Sequence, residues 1–162
     1  TLLNRRGFLT LAEQQIKTAS RLKKRVALLY LDVDDLKRIN DTGGHKLGDR
    51  ALAELAFNLK KSFRESDIVG RLGGDEFSVL AMESTRMDAD TLVRRLEEKL
   101  ALFNDRSSAE AGFRLAVSIG VYTREPEEPA TVEEMLSRAD QLMYERKRAR
   151  KGGSAKPPGP SK

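Results

Sequence analysis

Ile68-Val69-Gly70-Arg71-Leu72-Gly73-Gly74-Asp75-Glu76-Phe77-Ser78-Val79-Leu80-Ala81 reads as two short strands joined by a glycine turn. Gly73-Gly74 predicts a tight two-residue hairpin, because glycine accepts the positive φ that primed turns require. Asp75 and Glu76 then stand side by side at the mouth of the second strand, where oxygen donors suit a hard cation such as Mg²⁺. Alone, the stretch is equally an ordinary solvated hairpin, so its meaning depends on what else reaches it.

Working outward, Asn4 is placed to cap a helix whose apolar positions Phe8, Leu11, Ala12, Ile16, Ala19 and Leu22 recur at helical spacing. Its basic end, residues 21–25, suits a helix C-terminus. Val26-Ala27-Leu28-Leu29-Tyr30-Leu31 is an unbroken apolar run of strand length and predicts a buried strand ending at Asp32. A short turn or helix follows through Asn40, Gly43-Gly44 is expected to break the chain, and Leu47, Ala51, Leu52, Leu55, Ala56, Leu59 and Phe63 mark an amphipathic helix. Beyond the hairpin come a helix near 88–104, a strand near 113–122, and a last helix from about Thr131, with Thr131 and Glu134 spaced as a capping box.

Between the first and last helices the order is strand, helix, strand, strand, helix, strand. This is the βαββαβ pattern of ferredoxin-like and palm domains, an α+β sandwich with a central antiparallel sheet flanked by helices. In that topology the first strand lies between the third and fourth and runs antiparallel to the third. The end of strand one, Asp32, is therefore expected beside Asp75 and Glu76. Carboxylates from adjacent strand ends on such a sheet hold divalent metal over a triphosphate. No Walker-type glycine loop is present, so phosphates would be received by helix N-termini and amides after Asp34, with Lys37, Lys147 and Lys151 as cations.

Composition bounds the alternatives. At 162 residues and 39% hydrophobic, the chain is sized for one domain (1–151) with a Gly-, Pro-, Ser- and Lys-rich tail (152–162) expected to be disordered. No apolar run approaches the ~18–20 residues of a membrane span, and no secretory pattern opens the chain. A cytoplasmic location is expected, the parent protein being free to carry a membrane anchor. Cysteine is absent, which leaves carboxylates, carbonyls or the lone His45 as metal ligands and favours Mg²⁺ or Mn²⁺. The net charge of +5 is local: residues 146–162 hold seven Lys or Arg and no acid, leaving 23 basic against 25 acidic residues before them. That distribution argues against a polynucleotide-binding face.

Asp32-Val33-Asp34-Asp35-Leu36-Lys37-Arg38-Ile39-Asn40-Asp41, Gly44-His45-Lys46-Leu47-Gly48-Asp49 and Arg71-Leu72-Gly73-Gly74-Asp75-Glu76-Phe77 together resemble the GGDEF domain of diguanylate cyclases. Leu2-Leu3-Asn4-Arg5, Val117-Ser118-Ile119-Gly120 and Ala139-Asp140 with Tyr144 and Lys147 support the resemblance, which covers about residues 1–151. It implies metal ligands at Asp32, the Val33 carbonyl, Asp75 and Glu76, with Glu76 also the catalytic carboxylate for a 3′-hydroxyl. Asn40 and Asp49 correspond to guanine readers, His45 lies near that pocket, and Lys37 corresponds to a residue steadying transition-state charge. Lys147 and Lys151 correspond to phosphate-binding positions. Lys151 stands where the family carries an arginine, because Arg148-Ala149-Arg150-Lys151-Gly152 replaces its Gly-Arg-Asn ending. Arg64-Glu65-Ser66-Asp67 matches the spacing of the family's product-inhibition motif, with Arg95 as a further candidate for the same ligand.

The implied reaction joins two GTP into cyclic di-GMP across a homodimer, each protomer holding one nucleotide and Mg²⁺ or Mn²⁺. An N-terminal sensor, outside this apparent fragment, would bring the two together. The alternatives are a non-catalytic receptor for cyclic di-GMP or GTP, a dimerisation platform, and a related cyclase for another nucleotide. Asp32, Asp75 and Glu76 argue against a receptor, and Asn40 with Asp49 favour guanine.

Overall fold

The strand β1 (Val26–Val33) is buried along nearly its whole length, as an unbroken apolar run requires when both faces and both edges are covered. The computed structural model describes residues 2–83, 88–150 and 152. Lys151 and the predicted tail from 153 onward lie outside those residues. β1 pairs antiparallel with β3 (Glu76–Met82) on one side and β4 (Val117–Arg124) on the other. The hairpin partner β2 (Ile68–Arg71) forms the far edge, so the sheet order is β2-β3-β1-β4. The predicted βαββαβ core is present.

Alternation along β1 sends Ala27, Leu29, Leu31 and Val33 to one core and Val26, Leu28 and Tyr30 to the other. The first face is covered by α2 (Leu36–Ser62) and α3 (Ala89–Arg106), the second by α1 (Arg5–Arg21) and α5 (Val132–Arg150). Asp32 continues the Tyr30 side, so it emerges at the strand end beneath α5. Gly120 lets that helix lie close: a Cβ there would meet the Ala139 carbonyl oxygen at 1.8 Å and the Met143 nitrogen at 2.5 Å.

Capping follows the sequence. Asn4 Oδ1 accepts from Gly7 N–H at 2.9 Å, and Thr131 and Glu134 exchange two bonds, at 3.0 and 3.2 Å, ahead of α5. On α1, Phe8, Ala12, Ile16 and Ala19 are buried but Leu11 and Leu22 stay exposed, because only a narrow stripe of the helix meets the sheet.

Two local expectations are corrected, at the hairpin and at the last strand, and a third is borne out. The glycine pair does not make a primed turn: neither Gly73 nor Gly74 lies in the left-handed region. Leu72 N–H closes onto the Glu76 carbonyl at 2.8 Å, giving a wider loop whose carbonyls at Gly73 and Gly74 accept from the Arg71 guanidinium. The expected break at Gly43-Gly44 is present: within α2 the backbone leaves helical geometry at Gly44, φ 75° and ψ 174°, so that two helical segments meet at a kink there. The last strand starts at Val117 rather than 113, because Leu115 spends its N–H and carbonyl on the Asn104 side chain, at 2.8 and 2.7 Å. A short helix α4 (Ser108–Ala111) fills the connection before it. Among the described residues no helix is long and apolar enough to cross a membrane.

Candidate active site

Strand register brings the acids together. Asp32 is the direct partner of Glu76 on β3 and of Ser118 on β4, and the Val33 N–H donates to the Asp75 carbonyl at 3.2 Å. Asp32 is thus flanked on both sides within the ladder, which fixes its Cα as firmly as any residue in the sheet.

The charge of Asp32 is contested. Burial and the neighbouring Asp75 carboxylate push its pKa up to about 6, against the pull of Lys147. Lys147, three residues before the end of α5, places Nζ 3.1 Å from Asp32 Oδ2 and 3.4 Å from Asp34 Oδ1. Burial alone would lower the Lys147 pKa; the two carboxylates outweigh it and hold the ammonium above its ordinary value. Asp34 Oδ1 also accepts from Ser118 Oγ at 2.7 Å. Asp35, next in the chain, sits in the left-handed region at φ 54° and turns the backbone into the start of α2.

The donor set fits a divalent cation. Asp32 Oδ1 is buried with no hydrogen-bond partner, an acceptor that only a cation or a proton would satisfy. Asp75 faces it, and both are hard oxygen ligands. Among the described residues, however, no three His, Cys, Asp or Glu side chains are gathered into a finished cation centre. The Glu76 carboxylate lies under Gly73, where an added Cβ would meet its Oε2 at 2.6 Å.

The other sequence candidates fall into two groups. Around the Gly44 kink, Asn40 packs its Oδ1 so tightly on Gly48 that a Cβ there would lie 1.9 Å away. Asp49 follows directly, exposed, so the bend sets Asn40 and Asp49 close together, while His45 and Lys37 are exposed on the same helix. At the opposite end of the sheet, Arg64 N–H donates to Asp67 Oδ2 at 2.8 Å and Asp67 N–H returns to the Arg64 carbonyl at 3.0 Å. Burial pushes the Asp67 carboxyl up, while Arg64 and Arg95 pull it down. Those three residues therefore share one place, in the wall of a groove of about 970 Å³ for Arg64 and Asp67.

Sequence reading assigned no site role to Tyr30 or to Asp140, although Asp140 belongs to the Ala139-Asp140 pair that supports the family resemblance. Tyr30 is buried beside Glu76, and burial with the Glu76 charge raises its phenol well above the ordinary value. Asp140 on α5 faces Glu76 as well; burial first, then that charge, raises its carboxyl.

A family model described as "Diguanylate cyclase, GGDEF domain" matches residues 1–153. Diguanylate cyclase TpbB of Pseudomonas aeruginosa (strain UCBPP-PA14) is 34% identical over 158 residues, covering 94% of this chain and 35% of that protein. Probable diguanylate cyclase DgcC of Escherichia coli K12 is 34% identical over 146 residues, 90% of this chain and 38% of that protein. The chain thus spans well under half the length of these relatives. Among solved structures, the GGDEF domain of PA1120 (YfiN or TpbB) from Pseudomonas aeruginosa matches with a TM-score of 0.80 at 32% identity, over 92% of each chain. The GGDEF domain of DgcB from Caulobacter crescentus, in complex with c-di-GMP, matches at 0.76 and 27% identity, over 94% of this chain and 88% of that one.

Proposed function

We propose, because this chain belongs to the GGDEF-domain family of diguanylate cyclases, that it condenses two GTP into cyclic di-GMP. Each 3′-oxygen attacks the α-phosphorus held by the facing protomer, and each attack expels one pyrophosphate. The observation that carries the reading is the register pairing of Asp32 with Glu76, with Asp75 one residue before it. A receptor would gain nothing from that convergence of acids.

Asp32, Asp75, Glu76 and the Val33 carbonyl would hold Mg²⁺ or Mn²⁺. When bound, the cation lowers the pKa of the attacking hydroxyl and neutralises charge on the departing pyrophosphate. Lys147, already aimed at Asp32 and Asp34, and Lys37 on the first turn of α2 supply positive charge for phosphate oxygens. The backbone amides beyond the left-handed Asp35 and Lys151 serve the same end. Asp49 accepts from guanine N1–H and N2–H₂, Asn40 pairs with the remaining edge, and His45 borders the pocket. Positioning and charge neutralisation carry most of such phosphoryl chemistry.

Arg64, Asp67 and Arg95 form a second ligand site for the product, the guanidinium groups gripping phosphate and the carboxylate pairing with guanine. Two domains must meet for turnover, and the greater length of the relatives accommodates a segment that brings them together. The test is product analysis with concentrated chain, GTP and Mg²⁺ or Mn²⁺, beside Glu76→Gln. Cyclic di-GMP from the wild type and none from the variant is expected; a folded, GTP-binding chain that makes none overturns the reading.

A further inference from the structure

We infer that Asp34 is a positioning residue for Lys147: braced by Ser118, it holds the ammonium at the strand end where phosphates would be received. The inference rests on the cyclase reading above, in which neither Asp34 nor Ser118 has a part of its own.

The brace comes from the ladder. Alternation along β1 turns Val33 into one core, so Asp34 emerges on the same side as Asp32, beneath α5. Its N–H donates to the Ala116 carbonyl at 2.8 Å, which carries the pairing of β1 with β4 one residue past Val33. Asp32 pairs directly with Ser118, so Asp34 stands diagonal to that serine on one face of the sheet. Ser118 Oγ donates to Asp34 Oδ1 at 2.7 Å. The serine is only 3% exposed, and a buried hydroxyl is retained where it has a partner.

The last helix brings the lysine to the same oxygen. Arg146 Nη1 donates to the Ile119 carbonyl at 3.2 Å, which ties the end of α5 to β4 next to Ser118. Lys147 Nζ then reaches Asp32 Oδ2 and Asp34 Oδ1 together. The oxygens divide the work. Asp32 Oδ1, buried and without a hydrogen-bond partner, is left for a cation, while Asp32 Oδ2 and Asp34 Oδ1 share the lysine. The lysine therefore keeps its place while a cation is bound. An ammonium carries three protons, and with one toward each carboxylate the third is left for a phosphate oxygen. A lysine stem loses rotamer freedom whenever its head is fixed; carboxylates that fix it beforehand remove that cost from nucleotide binding.

The experiment is calorimetric titration with 3′-deoxy-GTP and Mg²⁺, a nucleotide that lacks the attacking hydroxyl and cannot react, beside guanosine as the phosphate-free control. Removing a negative charge near a triphosphate would, by Coulomb's law alone, tighten binding. Asp34→Asn, which keeps an oxygen for the Ser118 hydroxyl, is instead expected to weaken 3′-deoxy-GTP about fivefold and to leave guanosine within about twofold. Ser118→Ala, which keeps the charge and removes the brace, should weaken 3′-deoxy-GTP about twofold to threefold. In a Lys147→Met background, Asp34→Asn should bring no further weakening. Unchanged or tighter 3′-deoxy-GTP binding in Asp34→Asn overturns the inference. So does an equal weakening in the Lys147→Met background, or a parallel loss of guanosine, either of which would mark Asp34 as a support for the fold alone. A wild-type chain that does not bind 3′-deoxy-GTP overturns the cyclase reading first and this role with it.

Discussion

Lys147 and Asp32 meet at 3.1 Å although 115 residues separate them, and through that contact the last helix is tied to the central strand at the point where chemistry would occur. The pair is not a stability device. Burial and Asp75 hold Asp32 at a pKa of about 6 even with an ammonium beside it, so its ionised form is strained at neutral pH.

The sign of that strain makes a prediction. Because the folded-state pKa lies above the unfolded value, ionised Asp32 costs stability above about pH 6, and the cost fades as pH falls through 6 toward the unfolded pKa near 4. Without divalent metal, Asp32→Asn should stabilise the fold by on the order of 1–2 kcal/mol at pH 7.5 and by almost nothing at pH 4. Paired denaturant melts check this. Equal gain at both pH values would refute it.

On the proposed function, the same carboxyl would govern cation binding. Metal competes with the proton for Asp32, so Mn²⁺ affinity should fall roughly tenfold for each pH unit below about 6 and level off above it. Calorimetric titration at pH 5 and pH 7 reads the slope directly; a flat profile would show that Asp32 is not a ligand.

The two hairpin glycines should behave differently. A Cβ on Gly73 collides with the movable end of Glu76, 2.6 Å away, whereas one on Gly74 meets nothing within 4 Å. Gly73→Ala is expected to fold with less than about 1 kcal/mol lost, yet to reduce turnover tenfold or more by displacing the carboxylate. Gly74→Ala should be near neutral in both assays. Similar rates for the two variants would contradict the picture.

Gly120 is a harder constraint, because its neighbours are backbone. Gly120→Ala forces α5 off the sheet and should cost about 3 kcal/mol or more. The shift carries Asp140 and Lys147 with it, so any folded fraction should show weakened GTP binding in a filter or fluorescence assay.

At the second site, Arg64 is the informative residue. Asp67 also closes its own turn through the Arg64 N–H, so removing its carboxylate disturbs backbone as well as ligand. Arg64→Ala spares that bond and should weaken cyclic di-GMP binding at least tenfold by calorimetry. Unchanged affinity would remove the site.

The sheet order and the meeting of Asp32 with Glu76 were legible in the chain because βαββαβ connectivity leaves few alternatives, and a continuous apolar run such as Val26-Ala27-Leu28-Leu29 has to be central. The hairpin was misjudged in detail. Gly73 is small so that Glu76 may lie under it, not because φ must be positive, and a sequence cannot separate those two uses of glycine. The break at Gly43-Gly44 was legible because a positive φ, 75° at Gly44, favours glycine and interrupts a helix. Tyr30 with Glu76, and Asp140 above them, depend on register and on how α5 lies across Gly120, neither of which any local pattern encodes.

Centrality of β1 has one more consequence. Asp32 is rung to neighbours on both sides, while Arg64 and Asp67 lead into β2, the outermost strand. Outer strands open in smaller fluctuations than inner ones. On warming, the Arg64–Asp67 end should therefore loosen before the Asp32 end does, leaving an interval of temperature in which the proposed cyclase would still turn over but would no longer respond to cyclic di-GMP.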